Sequence, residues 1–354
     1  MRSATLTDGS QSKYVADPGF STIEGDENPD AYYTDSLSFL PDSNYGIQIR
    51  SDATRDLTVT AQVTGRGSTG FEAELEWAYM TYDLTPNTVL QIGRQRMPLY
   101  YYSDFLDVGY AYHWLRPPTD VYASSFATYE GISVFHNTVI GNWSSRSRFY
   151  TGMTSNDTSI FGTFGGDQIY GFVNDLSNDW LQLRSSYLTG DFFTSGLTDR
   201  DNPNLAEFGS VALKISLNDF FALTEFTQAN TVNNDTYFDV PREVNLGPLQ
   251  LDSVQLDNLN GFIVSIGYYF GDFTPHLTFT DSRIDFSGAE IPTFDPLFIR
   301  RKSTTFGVRW DFHPSAAFKV EYVSKRDYSH STVKALLGNT EEVDALSFGF
   351  DIIF

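Results

Sequence analysis

The chain has 354 residues, 16% of them aromatic, no cysteine, and 45 acidic against 23 basic side chains, for a formal net charge of −22. That balance disfavours nucleic-acid binding, which needs clustered positive charge. The lack of cysteine excludes disulfide dependence, and no stretch reaches the roughly 18–20 consecutive apolar residues of a membrane helix.

The opening stretch MRSATLTDGSQSKYVADPGF has no apolar core, so it reads as a mature or recombinant start from which an export signal has been removed. Residues 1–31 are polar, Asp-rich and without period, and are expected to form a separate segment, disordered, periplasmic or lodged in the lumen of a barrel formed by the rest of the chain. From 32 onward the composition, rich in Phe, Tyr and Gly and poor in helix-forming runs, is that of a β protein. A short strand is expected within 32–40, then strands near 45–53, 57–66, 70–85 and 88–98. In LTVTAQVTGR, Leu57, Val59, Ala61 and Val63 share one face, and Thr58, Thr60, Gln62, Thr64 and Arg66 share the other. In FEAELEWAY, Phe71, Ala73, Leu75, Trp77 and Tyr79 oppose Glu72, Glu74 and Glu76. The same alternation recurs in GFIVSIGYYF and TTFGVRWDF, and Trp143, Trp180 and Trp310 stand at segment ends. These segments, about 10–13 residues long, are about twice the average strand, which suits a strand tilted across a membrane.

Short and long connections alternate. Short turns fall near 54–55, 86–87, 141–142, 177–179, 217–219, 271–272 and 313–315. Longer polar loops fall near 154–166, 191–204, 232–258, 286–302 and 327–342, together with 99–128. Short on one rim and long on the other is the pattern of an outer-membrane barrel. The expected fold is therefore all-β: one transmembrane antiparallel barrel over 32–354 with about sixteen strands. Both termini fall on the short-turn side, which makes 99–128 the third long loop. The final strand DALSFGFDIIF carries Leu346, Phe348, Phe350 and Ile352 on one face and ends in Phe354. A terminal aromatic on such a strand is similar to the assembly signal of bacterial outer-membrane proteins.

The alternating strands, the long third loop, the Gly93-Arg94 pair that enters it and the terminal Phe354 together resemble the general porins of Gram-negative outer membranes, which are sixteen-stranded trimers. The resemblance implies an outer-membrane location, a homotrimer, and a third loop folded into the lumen that sets acidic residues opposite wall arginines. It assigns one of those arginines to Arg94.

A barrel this wide needs something inside it to select solutes. The loop offers Asp104, Asp107 and Asp120, stiffened by Tyr100, Tyr101, Tyr102 and Tyr112 and by Arg116-Pro117-Pro118. Alternation puts Arg50, Arg66, Arg146, Arg148 and Arg184 on the lumen wall, with Glu72, Glu74 and Glu76 as its acidic members. Arg94 and Arg96 share parity with Leu90 and Ile92, so either a bulge shifts the register or a subunit interface shields them. The expected function is a water-filled channel for passive diffusion of small hydrophilic solutes and ions, with the net charge favouring cations. Acidic outer loops are expected to hold divalent cations near lipopolysaccharide and outer-membrane lipid. The five histidines have no metal-ligand spacing and no catalytic motif stands out, so no enzyme activity, metal or cofactor is expected. Two other readings stay open: a channel selective for an anion, sugar or carboxylate, and a non-transport barrel such as an adhesin or a rim enzyme.

Overall fold

The computed structural model describes residues 2–8, 14–15, 32–33, 37–122, 127–159, 162–194, 203–231, 238–239, 253–287, 297–331 and 343–354. Sixteen strands of seven or more residues occur among them: β1 (Arg2–Asp8), β2 (Asn44–Asp52), β3 (Leu57–Arg66), β4 (Ala73–Thr85), β5 (Thr88–Arg96), β6 (Thr128–Ile140), β7 (Trp143–Ser159), β8 (Gly162–Ser177), β9 (Leu181–Thr194), β10 (Asn204–Leu217), β11 (Phe220–Thr231), β12 (Ser253–Tyr268), β13 (Phe273–Ser287), β14 (Leu297–His313), β15 (Ala316–Asp327) and β16 (Val343–Ile352). Each of β2 to β16 pairs antiparallel with its neighbour in sequence, and β1 pairs with β16, Arg2 facing Phe350. With Phe238–Asp239 as a two-residue member, they form one seventeen-stranded sheet.

The first strand is not where the sequence pattern puts it. Within 32–40 only Tyr32–Tyr33 is a strand, paired with Tyr14–Val15. The strand that joins the sheet is Arg2–Asp8, from the segment set apart as 1–31. Seven residues, Arg-Ser-Ala-Thr-Leu-Thr-Asp, with only Ala4 and Leu6 apolar, are too short to stand out as a period inside a polar stretch. Most of 1–31 lies outside the described residues.

The sheet is built inside out. In β3, Val59 and Val63 are exposed while Thr60, Gln62 and Thr64 are buried. In β14, Phe306, Trp310 and Phe312 are exposed while Ser303 and Thr305 are buried, and in β16 Leu346 and Phe350 are exposed over buried Ser347 and Asp351. Apolar side chains outside and polar ones inside make sense when the outer solvent is hydrocarbon.

One stretch breaks its expected face. Gln62 pairs with Trp77 but Val63 pairs with Leu75, so Glu76 is an extra residue on β4. Glu76 and Trp77 are both buried, Leu75 stays outside, and the outward set resumes at Met80, Tyr82 and Leu84. A one-residue bulge reverses the parity of everything beyond it, so Trp77 and Tyr79 leave the apolar face to which simple alternation assigns them.

The inner face packs against residues 97–122. Asp107 of this segment meets Arg66 on β3, and Gly109, two residues on, accepts from Lys319 on β15. Laid flat, strands twelve apart lie about 58 Å from each other, whereas two residues of chain span about 7 Å. The sheet therefore curls until its ends approach each other, with 97–122 inside.

Candidate functional site

β5 ends at Arg96, and Pro98, lacking an N–H, cannot extend the ladder. Two tight turns, Ser103–Phe105 and Gly109–Ala111, then keep the segment compact. Its aromatic side chains form a core inside the curled sheet. Tyr100, Tyr102, Tyr112, Trp114 and Tyr122 are buried with Phe208, Leu223 and Ile263, the Tyr100 and Tyr122 rings lying 4.7 Å apart. Backbone groups are satisfied by the wall: the carbonyl of Leu99 accepts from Ser186 (2.6 Å) and Ser210 (2.8 Å), the Tyr101 N–H donates to Glu225 (2.8 Å), and the Leu115 N–H donates to Glu321 (2.7 Å).

Two ion clusters fix the tip. In the first, Asp107 bonds to Arg66 (3.0 Å) and Arg96, Glu76 lies 2.7 Å from Arg66 and 3.4 Å from Arg96, and Glu74 lies 3.4 Å from Arg66. In the second, Arg184 bonds to Asp104 (2.9 Å) and Asp175 (3.2 Å), and Arg148 stands 3.5 Å from Asp104. Arg148 lies 5.0–5.7 Å from the Tyr129, Phe135 and Tyr150 ring centres and donates to the Tyr129 hydroxyl (2.8 Å), while Arg146 lies 4.8 Å over Phe135. Burial alone pushes the Asp104 and Asp107 carboxyls up. Arg184 and Arg148 at the first, and Arg96 and Arg66 at the second, outweigh that and hold both below the usual carboxylate value.

A third anchor lies on the opposite wall. The buried Lys319 ammonium donates to the carbonyls of Gly109 (2.7 Å), Tyr112 (2.8 Å) and Trp114 (2.6 Å) and pairs with Asp351 (2.8 Å). Arg309 donates to the carbonyls of Tyr110 (2.8 Å) and Tyr112 (2.9 Å). His113, kept neutral by burial and by the neighbouring His276 and Lys319, bonds to Ser265 at 2.8 Å.

The residues marked out in the sequence divide accordingly. Asp104 and Asp107 join Arg66, Arg148, Arg184, Glu74 and Glu76, with Arg146 alongside, and the carboxylates touch the guanidiniums instead of facing them across a gap. Asp120 lies away from both clusters: it pairs with Lys325 on β15 at 2.7 Å, within the field of Arg301. Arg94 is not part of the constriction. It pairs across the sheet with Ala78 and Glu130, on the outward parity of Ile92 and Ile132, and no register shift separates it from Arg96. Arg96 reaches the acidic tip because it stands at the strand end, where the chain turns inward. Arg50 is inward-facing opposite Thr60, toward the short-turn rim, and Glu72 precedes β4 outside both clusters. Phe354 is fully exposed. Early-strand alternation missed Arg96, Lys319, Arg309, Glu225 and Glu321. The last four were legible as polar positions alternating with Phe306, Phe318, Val320 and Tyr322, or with Phe226.

Among the described residues no cluster of three or more His, Asp or Glu side chains is arranged to hold a metal ion. The chain matches no family model and no curated protein sequence. Solved structures do match over almost its whole length. The outer membrane channel DcaP of Acinetobacter baumannii superposes with a TM-score of 0.61 at 9% identity over 99% of this chain and 94% of the other. OmpF of Salmonella typhi, in complex with daunomycin, gives 0.57 at 14% identity over 100% and 97%. The anion-selective porin from Comamonas acidovorans gives 0.54 at 9% identity over 100% and 99%. At these identities the likeness shows the fold alone: the chain has the fold of outer-membrane porins.

Proposed function

We propose that the chain is an outer-membrane channel of a Gram-negative bacterium, a closed barrel whose seam joins β1 and β16 to β2 and whose lumen is narrowed by residues 97–122. It passes small hydrophilic solutes and ions by diffusion. The observation that carries this reading is the segment itself: a constriction pinned to opposite walls by Arg66, Arg96, Arg184, Arg309 and Lys319 is what a wide aqueous barrel needs in order to sieve.

A mild cation preference follows from what faces solvent. Around the tip five arginines (66, 96, 146, 148, 184) meet five carboxylates (Glu74, Glu76, Asp104, Asp107, Asp175). The side chains of Asp104, Asp175 and Glu74 are 36%, 41% and 50% exposed, against 7% for Arg184 and 9% for Arg148. A passing ion meets these three carboxylate edges against the exposed Arg146 and the quarter-exposed Arg66. The test is a bilayer recording under a salt gradient: a reversal potential of cation sign is expected, and absence of ion conduction removes the channel reading. The dense packing of Tyr100, Tyr102, Trp114 and Tyr122 against the β9–β12 wall favours a second reading, a channel selective for one class of sugar or carboxylate. A solute that blocks the ion current at micromolar concentration would establish it.

The outer wall supports a trimer. Among the described residues of β2–β6, the exposed large apolar side chains include 2 aromatics of 13, and those of β11–β15 include 10 of 11. Aromatic rings suit the lipid boundary. The aliphatic side also carries Arg94 and Glu130, and a lipid-facing Arg at mid-depth costs about 2–4 kcal/mol. Covering that side with further copies of the chain removes the cost.

A further inference from the structure

We propose that Arg94 and Glu130, on the outward face of β5 and β6, form ion pairs with Glu130 and Arg94 of further copies of this chain, closing an alternating ring of charges where the subunits meet. The proposal rests on the trimer reading and names the side chains that meet in it.

Arg94 and Glu130 stand opposite each other in the β5–β6 ladder, in a row that runs Ala78, Arg94, Glu130, Met153 across four strands. The next row toward the short-turn rim is Met80, Ile92, Ile132 and Thr151, and its three apolar side chains are exposed. Among the described residues of β2–β6 the other titratable side chain on an outward position is His136, which pairs with Thr88 at the short-turn end, Arg96 having turned inward at the end of β5. Neither Arg94 nor Glu130 is satisfied within the chain. Glu130 is exposed and takes no hydrogen bond or ion pair from any described residue. Arg94 donates to none, and its Nε is shut off from solvent without an acceptor. From Cβ atoms about 5 Å apart the two side chains leave the wall together, one positive end beside one negative end.

Depth decides what must cover them. Arg94 lies six residues beyond Thr88, where β5 begins at the short turn. At about 3.3 Å per residue and a tilt of about 40°, that is about 15 Å into an apolar band about 25 Å tall. Hydrocarbon at that level offers no hydrogen-bond partner, and ionisable groups inside a membrane pair with one another. A second copy of the chain brings the missing charge of each sign. In a closed head-to-tail ring each copy presents its guanidinium to the next copy's carboxylate, so three copies that meet through this face set three cations and three anions in alternation. Ala78, one strand over, leaves room beside the guanidinium for an entering carboxylate, and Met80, Ile92 and Ile132 seal the row below.

The chain has no cysteine, so a single introduced cysteine reports on one position. The test is to produce R94C and E130C chains together, each with its own affinity tag, and to treat the purified protein with a short bis-maleimide, whose span suits an Arg–Glu pair better than the closer approach a disulfide needs. Native mass spectrometry of the same sample gives the number of copies. Cross-linked dimers carrying both tags are expected to outnumber those carrying one, and F279C chains, altered on the other side of the sheet, should give none. R94E should raise the monomer fraction by at least about tenfold, the effect of leaving buried charge unpaired, and R94E/E130R, which restores one charge of each sign, should reverse most of that rise. Trimers that yield no dimer with both tags, or that R94E leaves intact, overturn the proposal while the trimer stands. An unaltered protein that is monomeric removes the trimer and the ring together.

Discussion

Replacing Asp107 by Asn should undock the tip of the 97–122 segment from the β3–β5 wall. Asp107 and Arg96 are both largely buried, and removing one partner of a buried pair costs about 3–5 kcal/mol. Glu76 remains 2.7 Å from Arg66 and 3.4 Å from Arg96. With that counter-ion left in place, about 2 kcal/mol is expected, or about a thirty-fold shift toward the undocked tip. Protonation should act in the same direction. The docked Asp107 carboxyl lies below its ordinary value of 3.8 because Arg96 and Arg66 outweigh the effect of burial. Its contribution to docking is thus complete above that value and is lost as the pH falls below it. Two measurements check this. In bilayers, D107N at neutral pH should show the larger open-channel noise that the unaltered protein shows only below about pH 4. Because the chain has no cysteine, a V108C reporter beside the tip should be modified faster in the D107N background. If noise and labelling rate both match the unaltered protein, the carboxylate does not hold the constriction.

Other perturbations probe the remaining anchors. K319M leaves Asp351 buried without its ammonium and frees three loop carbonyls, so thermal unfolding should show a loss of about 3–5 kcal/mol, partly restored by K319M/D351N. F279R, on the outward face at mid-depth, should cost about 2–4 kcal/mol in the same assay, and an unchanged stability would reverse the assigned faces. Deleting Phe354 should lower the amount inserted in the outer membrane without lowering synthesis, as measured by fractionation. Cross-linking should trap trimers through cysteines placed at Ile47 or Ile92, and trapping only through Phe279 or Phe306 would put the interface on the wrong side.

The long strands were legible because their apolar and polar side chains alternate with a period of two, as in LTVTAQVTGR, where Val59 and Val63 are exposed and Thr60, Gln62 and Thr64 are buried. The alternation failed where one residue was added. Glu76 is read by spacing as one tooth of an acidic comb with Glu72 and Glu74. In the folded sheet it is the inserted residue of a bulge, turned inward beside Trp77 to meet Arg66 and Arg96. Nothing in FEAELEWAY marks that insertion, since a bulge is fixed by the partner strand's register and not by its own sequence. Arg96 was hidden for a related reason: parity holds only while the chain remains a strand, and Met97-Pro98 ends it one residue later.

The nature of the charges could be read from the sequence, but not their separation. Opposed rows of carboxylates and guanidiniums across open water would set up a transverse field in the lumen, and two unit charges about 8 Å apart still interact by about 2 kcal/mol at an effective dielectric constant of 20. Contact pairs such as Asp104–Arg184 at 2.9 Å cancel most of that field. What remains depends on which groups keep an edge in water: Arg148 lies over three rings and Arg184 between Asp104 and Asp175, whereas Glu74 and Arg146 are exposed. Selectivity should therefore respond more to the substitution of Glu74 or Arg146, which face solvent, than to that of Glu76, which is buried between Arg66 and Arg96. E74Q should move the reversal potential toward anions by more than E76Q does, and R146Q should move it toward cations. Equal shifts for E74Q and E76Q, or none for R146Q, would refute exposure as what sets the selectivity of this tip.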